Sequence, residues 1–129
     1  MSLSALIVMD ELADRSVVES SLRAKPIVFE RCFAACATST AHRWLEHEQV
    51  DLVFVDLDLE GGSQMVRDLR TNSRYGALPV VGMSYNSDAE LVGQLLNGGL
   101  DAFLSKPLRR DIVRAEIEEI AGLRSGQSV

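Results

Sequence analysis

Five short apolar runs, each followed by a stretch with apolar residues at helical spacing, constrain this chain more than any other feature. The runs are 5–9, one beginning at Ile27-Val28-Phe29, then 52–55, 79–83 and 102–105. They are continuous rather than alternating, which is the pattern of strands covered on both faces. Between them, Val17, Val18 and Leu22 mark a helix over 14–22, and Ala41, Trp44 and Leu45 mark one over 38–49. Gly61-Gly62-Ser63 forms a loop, with Ser63 expected to cap a helix carrying Met65, Val66 and Leu69. A helix over 89–96 is stopped by Asn97-Gly98-Gly99, and a last one over 111–123 points Ile112, Ile117 and Ile120 inward. Strand and helix thus alternate five times on short connections. The expected fold is α/β, a single doubly wound parallel sheet of five strands with helices on both faces.

At 129 residues the chain suits one domain. Its 19 acidic residues against 13 basic ones give a net charge of −6, unfavourable for coating a phosphate backbone, so no direct nucleic acid binding is expected. No apolar run approaches the roughly 20 residues of a membrane span. Cys32 and Cys36 are too few for a disulfide scaffold and lack a second pair of zinc ligands; they read as packing residues of a cytoplasmic protein. Residues 1–3 read as a remnant of cloning, 4–124 as the domain, and 125–129 as a flexible tail or linker stub, with room for an output domain beyond it.

Ligands of such sheets bind beyond the carboxyl ends of the strands. The residues just past four of the runs are Asp10, Asp56, Ser84 and Lys106. Each has a plain alternative: Asp10 as a helix-starting turn residue, Asp56 as a loop former, Ser84 as a turn hydroxyl, Lys106 as a solvated charge. Together at matching strand ends, two acids, a hydroxyl and an amine suit a hard cation with an anion beside it, and so phosphoryl transfer.

The segments 6–11, 51–57, 78–84 and 99–107 resemble a response-regulator receiver domain of two-component signalling, over residues 5–123. The last segment is the most specific: Lys106-Pro107 follows a strand with Phe103 three residues before the lysine. The resemblance implies a flavodoxin-like strand order, 2-1-3-4-5. It implies that Asp56 accepts the phosphoryl group from a histidine kinase or phosphotransfer protein, with Mg²⁺ held by Asp10, Asp56 and the backbone carbonyl of Asp58. Ser84 and Lys106 would contact the phosphoryl group, Phe103 would be the switch aromatic, and Pro107 would follow a cis peptide bond. The helix over 89–96, the fifth strand and the last helix would carry the switched surface. The Leu91/Val92/Leu95/Leu96 cluster is the candidate partner or homodimer contact.

The chain also departs from that family. Met9 stands where the first of two adjacent acids is expected, offering a soft thioether in place of a carboxylate. Reading Asp10-Glu11 as the acid pair instead would move the Val17/Val18/Leu22 stripe off its core positions. The loop after Asp56 is about two residues short and runs Glu60-Gly61-Gly62-Ser63, and Tyr85 replaces a small residue after the switch hydroxyl. Its ring either narrows access to Asp56 or points to solvent. Two functions of different class emerge: a phosphorylatable switch, favoured by the complete set Asp10, Asp56, Ser84 and Lys106, and a receiver-fold interaction module independent of phosphate, favoured by Met9 and Tyr85.

Overall fold

A computed structural model describes residues 2–126, with side chains up to Gly122. The elements are β1 (Leu3–Val8), α1 (Leu12–Leu22), β2 (Phe29–Ala35), α2 (Thr38–His47), β3 (Leu52–Asp56), α3 (Gly62–Thr71), β4 (Val80–Ser84), α4 (Ala89–Asn97), β5 (Ala102–Ser105) and α5 (Arg110–Gly126). All strand pairings are parallel, in the order β2-β1-β3-β4-β5. This is the five-stranded, doubly wound sheet that the apolar runs predict.

Alternation along the strands sorts the core into two layers. Ala5, Ile7, Met9, Phe54 and Met83 pack with Val18 and Leu22 of α1 and Val113 and Ile117 of α5. Leu6, Val8, Val53, Val55 and Val80 pack with Ala41 and Leu45 of α2 and Met65, Val66 and Leu69 of α3. β3 is buried at all five positions, as is β4, so a side chain at the end of either strand stands on an enclosed platform.

Several boundaries differ from the sequence-based expectation, each for a local reason. β1 begins at Leu3, which lies opposite Phe29 and packs on the first core layer. β2 starts at Phe29 and runs to Ala35; as an edge strand it exposes Glu30 and Arg31, which hides its apolar signature. Ser63 does not cap α3: Gly61, at φ 80°, is the N-cap, and the side chain of Ser63 lies in the first turn. Ile112 is exposed, and Val113 takes the inward position with Ile117 and Ile120. Residues 125 and 126 continue α5, while 127–129 lie outside the described residues. Cys32 packs on the first core layer, but Cys36 is exposed. Trp44 is half-buried, stacked on Phe33 at 4.6 Å, with its indole N–H donating to the Ala34 carbonyl at 3.1 Å.

Gly62 sets how closely α3 approaches β3. A Cβ there would collide with the Asp56 carbonyl oxygen, so only glycine lets α3 start this close to the end of β3. The short loop after Asp56 is closed in this way.

Candidate functional site

β3 ends on Asp56, β4 on Ser84, and β5 passes directly into Lys106. Because β3 lies between β1 and β4, Asp56 sits at the middle of the carboxyl edge. Its side chain is 3% exposed and that of Lys106 is 0% exposed. The Lys106 ammonium donates to Asp56 Oδ2 at 2.8 Å and to Glu11 Oε1 at 3.3 Å, and lies 3.4 Å from Asp58 Oδ2. The other Asp56 oxygen, Oδ1, accepts the Asp58 backbone N–H at 2.9 Å. Lys106–Pro107 is cis, as the resemblance implies, and Lys25–Pro26 is cis as well.

Ser84 is engaged with Asp58. Its hydroxyl donates to Asp58 Oδ1 at 2.6 Å, and the Tyr85 N–H donates to Asp58 Oδ2 at 3.0 Å. The Ser84 oxygen in turn accepts the Asn86 N–H at 3.0 Å. Tyr85 turns back over the site: its ring centroid lies 4.7 Å from Lys106 Nζ and its hydroxyl donates to Glu11 Oε2 at 3.2 Å. Of the two orientations left open by the sequence, the ring takes the one over the site.

The electrostatics reflect this crowding. Burial alone would push the Lys106 ammonium down, but its hydrogen bond and attraction to Asp56, with those of Glu11 and Asp58, hold it well above the usual lysine value. Burial pushes the Asp58 carboxyl up; the Ser84 hydroxyl, the Tyr85 N–H and Lys106 outweigh that and leave it below the usual range. The Lys106 hydrogen bond likewise holds Glu11 low against partial desolvation. Asp14 behaves oppositely. It is buried beside the Lys106-Pro107-Leu108 turn, accepts the Leu108 N–H at 3.4 Å, and burial raises its carboxyl.

Asp56, Asp58, Ser84 and Lys106 are therefore brought together. Asp10 is exposed between β1 and α1 and takes no part in this network. Met9 is fully buried in the first core layer, so its thioether packs there rather than lying open at the site. Phe103 is half-buried against the second core layer. Asp14 is the site residue that sequence reasoning missed, while Glu11 enters it only as the second member of the alternative Asp10-Glu11 acid pair. Among the described residues no group of three or more His, Cys, Asp and Glu is arranged to hold a metal ion. The donors are nonetheless of the right kind: Asp56 and Asp58 lie together, and the register Val8 opposite Val55 puts Asp10 just past the neighbouring strand end. All are hard oxygens, and the Asp56, Glu11 and Asp58 carboxylates share a single ammonium, leaving negative charge for a small divalent cation to balance.

The family model described as the response regulator receiver domain matches residues 5–118. The chain belongs to this family. Response regulator Rre1 of Synechocystis sp. is 31% identical over 98% of the chain and 54% of its own length, so the receiver domain spans about half of that curated relative. Among solved structures, the phosphorylated cyanobacterial phytochrome response regulator RcpA superposes with a TM-score of 0.79 at 17% identity, covering 92% of this chain and 93% of that one. The receiver domain of the Pseudomonas aeruginosa sensor histidine kinase PA1611, with magnesium in its active-site cleft, gives 0.75 at 21% identity, covering 92% and 97%. Both likenesses are of fold. No helix among the described residues is long and apolar enough to cross a membrane.

Proposed function

We propose that this receiver domain is phosphorylated on Asp56 by a histidine kinase or phosphotransfer protein in the cytoplasm, with Mg²⁺, and that the phosphoryl group switches the α4/β5/α5 surface. The observation that carries the reading is the buried Asp56 carboxylate, held by one ammonium and one backbone N–H at the centre of the carboxyl edge. Asp10, Asp56 and the Asp58 carbonyl are the residues that would hold Mg²⁺, which supplies charge neutralisation for the transferred group. With Met9 in place of an acid, its affinity is lower than in receivers with two acids. In the transfer an Asp56 oxygen forms a bond to phosphorus as the donor's P–N bond breaks, and the imidazole leaves. Lys106 is already placed to neutralise charge on that carboxylate.

Ser84 carries the switch. Its hydroxyl is committed to Asp58 Oδ1, and a phosphoryl oxygen on Asp56 competes for it. As the hydroxyl turns, Phe103 moves into the space released. Within that surface α4 is loosely held, since it buries none of its residues. The Leu91/Val92/Leu95/Leu96 cluster on it is the proposed partner or homodimer contact, and an output domain beyond this chain would be coupled through α5.

The second reading, an interaction module that needs no phosphate, is favoured by Asp10 lying outside the network and by the cover that Tyr85 forms. Titration with Mg²⁺, with and without beryllofluoride, separates the two through amide shifts. A phosphorylatable receiver responds around Asp56, Ser84 and β5, and Asp56→Asn abolishes the beryllofluoride response. Absence of any response supports the module.

A further inference from the structure

We propose that Tyr85 and Glu11 form a gate over Asp56 that sets how fast phosphoryl donors and water reach it; the proposal rests on the reading of Asp56 as the acceptor. Tyr85 follows the end of β4 and Glu11 follows the end of β1. In the sheet β3 lies between these two strands, so the hydrogen bond from the Tyr85 hydroxyl to Glu11 Oε2 spans the end of β3, above Asp56. The same ring closes the β5 side through its contact with the Lys106 ammonium. Its backbone is tied down by the N–H donated to Asp58. The exposures agree with a cover over an interior: Tyr85 is 56% and the Glu11 side chain 43% exposed, against 3% for the Asp56 side chain beneath.

Transfer needs the donor's leaving atom, phosphorus and the Asp56 oxygen nearly in line, so a donor approaches from beyond the carboxyl edge, on the side where the bridge lies. With phosphoramidate as donor the P–N bond breaks, an Asp56 O–P bond forms, and the amine leaves with its proton as ammonia. In hydrolysis water attacks phosphorus and the acyl O–P bond breaks to release phosphate. Both need that approach open. The bridge is a single solvent-exposed hydrogen bond, so it opens readily and acts on rates. Closing over the empty and the occupied site alike, it slows entry and exit together.

The test uses Tyr85→Phe, which removes only the hydroxyl, and Tyr85→Ala, which removes the cover. Association and dissociation of beryllofluoride in saturating Mg²⁺ are followed by amide NMR, and phosphoramidate labelling and its decay by intact mass. Tyr85→Phe is expected to raise all four rates about two- to fivefold, the scale of one exposed hydrogen bond, with Tyr85→Ala faster still and the beryllofluoride dissociation constant nearly unchanged. Unchanged rates overturn the gate, as does a changed dissociation constant with unaltered association, which marks Tyr85 as a positioning contact for Lys106. If the wild-type domain binds no beryllofluoride, or Asp56→Asn still does, the reading of Asp56 fails and the gate with it.

Discussion

Replacing Lys106 by methionine separates the electrostatic role of this residue from its packing. The unbranched side chain keeps most of the lysine stem in place but removes the ammonium 2.8 Å from Asp56. Asp56 is then a carboxylate with a 3% exposed side chain and the Asp58 N–H as its remaining partner. Breaking a buried ion pair from one side costs about 3–5 kcal/mol, because the other charge is stranded. Glu11 and Asp58 lose the same partner, but their side chains are 43% and 38% exposed, so water absorbs most of that loss. With a urea slope of about 2 kcal/mol per molar, typical for a domain of this size, the midpoint falls by about 2 M. The double variant Asp56→Asn/Lys106→Met removes the stranded charge as well, and most of the lost stability returns. Urea unfolding of wild type, both single variants and the double variant measures this directly. A Lys106→Met loss below about 1 kcal/mol, or a double variant no more stable than Lys106→Met, refutes the argument that Lys106 compensates a buried Asp56 charge.

Two other perturbations probe the same structure. Burial raises the Asp14 carboxyl, so its ionised form costs stability above the folded-state value and nothing below the unfolded value near 3.9. Asp14→Asn, which keeps an acceptor for the Leu108 N–H, is therefore expected to raise the urea midpoint at pH 7, with the gain vanishing as pH falls below about 4; a gain independent of pH contradicts this. Arg70 on α3 donates to the carbonyls of Gly99 at 2.6 Å and Leu78 at 2.7 Å and to Asp101 at 2.7 Å, clamping the segments that enter β4 and β5 to the helix. Arg70→Ala is expected to cost about 1–3 kcal/mol in unfolding experiments, since it strands the part-buried carbonyls of Gly99 and Leu78; a loss within about 0.5 kcal/mol would place the clamp among ordinary surface contacts.

The sheet was legible because its interior strands are apolar without interruption and stop abruptly. Asp56, Ser84 and Lys106 stand out in the sequence for that reason, and parallel pairing then delivers them to one edge. The edge strand was not legible beyond its start, because β2 is buried only at Phe29 and Ala35. Nor does adjacency of Ile112 and Val113 say which one faces in; the crossing of α5 over α1 decides it for Val113. The contact of Glu11 with Lys106 was not legible, because it depends on a side chain reaching a lysine 95 positions away. Asp14 lies in the first turn of α1, and only the packing of the turn after β5 shows that it is buried and bonded to Leu108. Met9 illustrates the reverse: its departure from the family pattern is plain in the sequence, yet the side chain belongs to the core.

The central claim, that Asp56 is the phosphoryl acceptor, is tested most directly by locating the bond. The domain is incubated with phosphoramidate and Mg²⁺, and the labelled protein is reduced with borohydride, which converts an aspartyl phosphate to homoserine, then digested and mapped by mass spectrometry. The account predicts one acid-labile phosphoryl group per chain, conversion at Asp56 alone, and no labelling of Asp56→Asn. Conversion at Asp10 or Asp58, or labelling of Asp56→Asn equal to that of wild type, would contradict it.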